Sequence, residues 1–68
     1  MSEITIHLDD MLDKRDMTLT ALSKAIGVTM ANLSILKTGK ARAIRFSTLT
    51  AICDELDCEP GDIIKLQR

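Results

Sequence analysis

Thr18-Leu19-Thr20-Ala21-Leu22-Ser23-Lys24-Ala25-Ile26-Gly27-Val28-Thr29-Met30-Ala31-Asn32-Leu33-Ser34-Ile35-Leu36-Lys37-Thr38-Gly39-Lys40 is the stretch that decides the fold. Leu19, Leu22 and Ile26 recur at i, i+3 and i+7, which lays one apolar stripe along a first helix over residues 19–26. Gly27 ends that helix, since glycine enters the left-handed conformation without a Cβ penalty. Thr18 and Thr29 are N-cap residues, each flanked by a staple pair, Met17 with Leu22 and Val28 with Leu33. Leu33 and Leu36 form the inner face of a second helix over residues 30–37, and Gly39 is its stop. Two capped helices this close in sequence must cross steeply, with the small Ser23 where they approach. That is a helix-turn-helix.

The flanks extend this reading. Ile4, Ile6 and Leu8 alternate as a short strand does, after which Leu8, Met11 and Leu12 take helical spacing, with Asp9 and Asp10 at the positive end of the helix dipole. Residues 40–46 form a basic loop. Ser47 is read as the cap of a fourth helix reaching Leu56, whose apolar face is Leu49, Ile52, Cys53 and Leu56. Pro60 suits the first turn of a short fifth helix over residues 60–63. Ile64-Lys65-Leu66 is too short to stand alone and is expected to pair with the N-terminal strand. The expected fold class is therefore all-α: one compact five-helix domain over residues 1–68, with a short two-stranded pairing of the chain ends as an addition.

Sixty-eight residues build only a small core. An apolar content of 46% with a single aromatic residue, Phe46, suggests that some apolar surface is shared between subunits. No stretch approaches the roughly 20 apolar residues of a membrane span, and the start lacks the basic-then-apolar pattern of a signal peptide. A cytoplasmic protein is expected.

The net charge of −1 conceals a strong segregation. Residues 1–16 hold five acids against Lys14 and Arg15, and residues 54–68 hold five against Lys65 and Arg68, each a balance of −3. Between Met17 and Cys53 there is no acid at all, only Lys24, Lys37, Lys40, Arg42 and Arg45, a balance of +5. If the fold gathers these on one side, they form an electrostatic footprint for nucleic acid.

The run from Leu22 through Thr29, continuing at Leu33, Leu36 and Gly39-Lys40, resembles the Cro/C1-type (XRE-like) helix-turn-helix regulators. The longer run from Asn32 to Leu49, with Cys58-Glu59-Pro60-Gly61-Asp62-Ile63, resembles a subgroup of very short, stand-alone members. The resemblance covers nearly the whole chain. It implies a lambda-repressor-like fold and a sequence-specific transcriptional regulator. The leading reading is a small bacterial or phage transcription factor that binds operator DNA as a dimer, because one recognition helix with few strong base contacts discriminates too little alone. One position departs from the pattern. The family often opens its second helix on a glutamine that bonds a phosphate, and here Leu19 stands there, leaving Thr18, Thr20 and backbone N–H groups to hold phosphate.

With Leu33 and Leu36 inward, Ala31, Ser34, Ile35 and Thr38 face outward, flanked by Met30, Lys37 and Asn32. The N-terminal part of a recognition helix lies in the major groove, so Met30, Ala31, Asn32 and Ser34 are the expected base contacts. Asn32 suits the adenine edge, Ser34 donates or accepts, and Met30 or Ala31 meets a thymine methyl. No outward arginine on this helix reads guanine, so an A·T-leaning site of modest specificity is expected. Thr18, Thr20, Thr29, Lys37, Thr38, Lys40, Arg42 and Arg45 are the expected phosphate contacts. Ile4, Ile6, Ile64 and Leu66 are expected at a two-fold interface that leaves the basic face free.

Other functions are weaker. An exposed Met30, Ala31 and Ile35 also suit a protein-interaction adaptor that uses the same helix against a partner protein. One histidine, no paired carboxylates in the basic window and no Gly-rich phosphate loop give no basis for an enzyme or a cofactor. Cys53 and Cys58 are read as structural thiols, not a disulfide or metal site, because Cys53 lies on an apolar helix face and His7, expected to be exposed beside the first helix, cannot complete a zinc site with them.

Overall fold

A computed structural model describes residues 2–68. The chain runs β1 (Glu3–Ile6), α1 (Leu8–Lys14), α2 (Leu19–Ile26), α3 (Met30–Lys37), α4 (Phe46–Leu56), α5 (Pro60–Ile63) and β2 (Ile64–Gln67). The all-α expectation is corrected, because β1 and β2 form an antiparallel two-stranded sheet with Ile4 opposite Leu66 and Ile6 opposite Ile64. Pairing the chain ends satisfies backbone groups that would otherwise depend on water, and the apolar side chains of both strands fall on one face. Ile6 and Ile64 pack on the core, whereas Ile4 and Leu66 overhang its edge.

The core is Leu8, Met11 and Leu12 from α1, Leu22 from α2, Leu33 and Leu36 from α3, Ile52, Cys53 and Leu56 from α4, and Ile63 from α5. Each helix thus spends its expected apolar stripe on the same centre. Thr18 Oγ1 accepts from Ala21 N at 3.1 Å, and Thr29 Oγ1 accepts from Asn32 N at 3.2 Å, so both expected caps form. Gly27 closes α2 at φ +70°. Ser23 does more than leave room: its hydroxyl donates to the Val28 carbonyl at 2.5 Å and pins the turn.

Three other helices end by a left-handed residue followed by a bond back over the last turn. The residues are Asp16, Gly39 and Asp57, and the bonds are Met17 N to Leu12 O, Lys40 N to Ile35 O and Cys58 N to Cys53 O. The cap expected of Ser47 is corrected. α4 starts two residues earlier with Arg45 as its N-cap, without a side-chain cap, which gains the Leu49 N to Arg45 O bond at 3.0 Å.

Arg15 ties the end of α1 to the end of α4. Its Nε donates to Leu56 O at 2.6 Å and its Nη2 to Asp57 O at 3.0 Å, capping the C-terminus of α4 from the loop after α1. A cation there meets the negative end of the helix dipole. Arg15→Ala should lower stability by about 1 kcal/mol, since water replaces part of the lost bonding. Urea unfolding checks this: the midpoint should fall with an unchanged slope, and an unchanged midpoint refutes the cap.

Candidate nucleic-acid interface

α3 is held by Leu33 and Leu36, so its remaining side chains are presented outward, and Met30, Ala31, Asn32, Ser34 and Ile35 are all exposed. Beside it runs the segment 40–45. This loop is anchored by Ala41 and Ile44, which are half-buried against the core and turn Arg42, Ala43 and Arg45 outward. Between loop and helix lies an open cleft of about 570 Å³. Thr29, Asn32 and Ile35 wall it on the α3 side, and Lys40, Arg42 and Arg45 on the other. Thr48, from the first turn of α4, also lines it. Among the described residues no carboxylate lies within ion-pair distance of Lys40, Arg42 or Arg45. Their field therefore projects into the cleft uncompensated by close partners.

The expected phosphate contacts do not all meet there. Lys37 Nζ lies 3.6 Å from Asp9 Oδ1 of α1, so one of the five central cations faces an acid. That pair is exposed and easily exchanged. The Thr38 hydroxyl turns back on its own helix, near Ser34 O at 2.9 Å and Ile35 O at 3.2 Å, which commits its proton. Thr18 and Thr20 stand exposed at the start of α2, outside the cleft. Leu19 is half-buried against the core. Sequence reasoning missed Thr48 and Ile35 as cleft residues. Ile35 was legible as an outward position, but Thr48 reaches the cleft only because α4 begins at the end of the loop.

Over residues 7–68 the chain matches the model of a known family, the Cro/C1-type HTH DNA-binding domain. The chain belongs to this family. It is also 63% identical over 62 residues, 91% of this chain and 74% of the other, to a protein of Bacillus subtilis (strain 168) named as an uncharacterized HTH-type transcriptional regulator, YozG. No solved structure matches the chain significantly. In this Cro/C1-type domain no helix among the described residues is long and apolar enough to cross a membrane.

The cysteines lie away from the cleft. Cys58 follows the left-handed Asp57 and meets Cys53 one turn back, the position where such helix ends place an apolar contact. Burial, then the neighbouring Cys58 sulfur, pushes the Cys53 thiol up to about 11. Burial raises Cys58 as well. His7 is half-buried rather than exposed, its Nε2 2.8 Å from Thr5 Oγ1 and its Nδ1 3.2 Å from Asp10 Oδ2. Among the described residues no three potential metal ligands gather.

A thiol whose pKa rises on folding stabilises the native state below its unfolded pKa, and that contribution is lost as pH climbs through the folded value. For Cys53 the window is from 9.0 to about 11. Iodoacetamide should therefore modify native Cys53 slowly at neutral pH, with a rate still rising above pH 9, and rapidly after denaturation. Mass spectrometry of the alkylated chain checks this, and fast native labelling of Cys53 at neutral pH refutes it.

Proposed function

We propose that this Cro/C1-type domain is a sequence-specific transcriptional regulator that binds double-stranded DNA in the cytoplasm. α3 enters the major groove, with Met30, Ala31, Asn32 and Ser34 toward the bases. Lys40, Arg42 and Arg45, with Thr29, take phosphates along the cleft. Lys37 joins them by exchanging Asp9 for a phosphate, while Thr18, Thr20 and backbone N–H groups hold the opposite strand at the start of α2. Thr38 contributes least, its proton being committed to α3.

The observation that carries this reading is the cleft itself, where three cations without close carboxylate partners stand beside the outward face of α3. The name of the Bacillus subtilis relative points the same way. α4 adds to it, since the first-turn amides of this helix have no side-chain cap and lie next to Arg45 and Thr48. Helix N-termini of this kind attract phosphate. An adaptor role is less well supported, because Met30 and Ile35 are only 40% and 47% exposed and flank a charged cleft, not a continuous apolar face.

With Asn32 as the one side chain suited to bidentate base reading, a single copy discriminates weakly, and two copies reading half-sites about 34 Å apart add their energies. The protein is thus a homodimer on its operator. Of the four residues expected at the two-fold contact, Ile6 and Ile64 are engaged by the core, and Ile4 and Leu66 remain free.

Selection of bound fragments from random DNA identifies the site and tests the reading directly; recovery of no enriched sequence refutes it. On the selected site, Arg42→Ala and Arg45→Ala should weaken binding to all sequences alike and flatten the salt dependence by roughly one unit of slope each. Unchanged slopes place the loop off the DNA. Asn32→Ala should cost about 1–3 kcal/mol on the best site and little on scrambled DNA. Equal losses on both remove Asn32 from base reading.

A further inference from the structure

Of the ten acids, all outside residues 17–53, the fold returns one to the central cations. That acid is Asp9. Packing of α1 against α3 brings the second residue of α1 to the last residue of α3, and Asp9 Oδ1 stands 3.6 Å from Lys37 Nζ. Among the described residues it is the single carboxylate within ion-pair distance of any of the five central cations. Both side chains are open to solvent, Lys37 38% and Asp9 61% exposed, so an approaching anion can reach the pair. Asp10, one residue on, is engaged elsewhere, its Oδ2 lying 3.2 Å from His7 Nδ1.

We infer that Asp9 is a built-in competitor for the DNA backbone, occupying Lys37 in the free protein and yielding it to a phosphate on binding. The inference rests on the DNA-binding reading above and names a residue that sets its strength. A carboxylate offers an ammonium what a phosphate offers, negative charge and acceptor oxygens. The two therefore exclude each other at Lys37.

Affinity is the first quantity affected. A lysine without a partner gains its whole attraction to a phosphate, whereas Lys37 gains only the difference between a phosphate and Asp9, and Asp9 is then left near the DNA. Salt dependence is the second. A cation that neutralises a phosphate releases a condensed counterion, worth roughly 0.9 of a unit of slope for each contact on a duplex. When Lys37 changes partner, Asp9 draws a salt cation in its place, which cancels part of that release. Lys37 thus carries a shallower salt signature than Arg42 or Arg45, neither of which has a carboxylate to leave. Because the exchange involves no base, it sets how strongly DNA is held and not which site is chosen.

Asp9 also serves the fold, since an acid in the first turn of α1 meets the positive end of the helix dipole. A role confined to the fold would move stability and leave the DNA measurements alone.

Fluorescence anisotropy of the full chain on labelled duplex, over a series of salt concentrations, tests the inference. Asp9→Asn should bind about 3-fold more tightly at low salt, on selected and scrambled duplex alike, and with a steeper salt slope. Asp9→Ser, which keeps a polar side chain in the first turn of α1, should repeat the gain. Asp10→Asn removes the same charge one residue away and should shift affinity by less than half as much. Lys37→Gln should flatten the slope by roughly 0.9 of a unit in the Asp9→Asn background and by clearly less in the wild type. In the Lys37→Gln background, Asp9→Asn should gain little.

An Asp9→Asn chain that binds no more tightly than the wild type, or a gain confined to one of the two duplexes, overturns the inference. So does a gain of full size in the Lys37→Gln background, since Asp9 then acts through its field and not through Lys37. In these cases the wild type still binds, and the DNA-binding reading stands. If neither the wild type nor Asp9→Asn binds any duplex, both fall together.

Discussion

The bend between α2 and α3 is the constraint on which everything else in this molecule depends. Gly27 must sit at φ +70°, and a Cβ built there meets nothing within 4 Å, so it is backbone conformation and not crowding that demands glycine. A side chain at that dihedral costs roughly 1–2 kcal/mol. The Ser23 hydroxyl then fixes the next peptide through the Val28 carbonyl. With the bend fixed, Leu22, Leu33 and Leu36 meet at one centre with Ile52 and Leu56, and the opposite face of α3 is left exposed. Core filler and proposed groove reader are the same helix, separated only by its period.

The same economy governs the rest of the chain. Reversals at Asp16, Gly39 and Asp57 turn the backbone in a single residue each, which is how so short a chain closes five helices around one core. Two of those three positions are aspartates, which tolerate the left-handed region better than most residues. The Asp57 carbonyl is then taken by Arg15. Cross-chain capping of this kind substitutes for core volume that a domain of this size does not have.

The sequence revealed local features well and distant ones poorly. The bounds of α2, α3 and α5 follow from apolar period, threonine caps and a proline, all of which act within one or two turns, and α2, α3 and α5 fall where those signals put them. Ser47 misled because serine is a strong cap, yet the helix gains more by starting at Phe46 and bonding Leu49 N to Arg45 O. The Arg15 cap was invisible, since its partners lie 41 and 42 residues away. So was the pairing of Lys37 with Asp9, which requires knowing that α3 passes α1. The contact of Cys53 with Cys58 was readable in principle as a helix-end motif, but aspartate at the left-handed position disguised it. Of the interface, the cations were plain in the charge pattern, whereas the cleft that collects three of them depends on Ala41 and Ile44 anchoring the loop.

Charge segregation links these local choices to the proposed work of the protein. All ten acids lie outside residues 17–53, on the N- and C-terminal segments that form the sheet, α1, α5 and the end of α4. DNA approaching those faces meets repulsion, and DNA approaching the cleft meets Lys40, Arg42 and Arg45, so the field selects orientation before any base is touched. Attraction of that kind is indifferent to sequence. Discrimination has to come from α3, where Asn32 stands among Met30, Ala31, Ser34 and Ile35, a set with little hydrogen-bonding capacity. A chain so equipped gains selectivity by counting: two weak readers held at a fixed separation reject a site that only one of them fits. In the proposed dimer, the rigidity of whatever holds the two copies together therefore matters as much to specificity as any residue that meets a base.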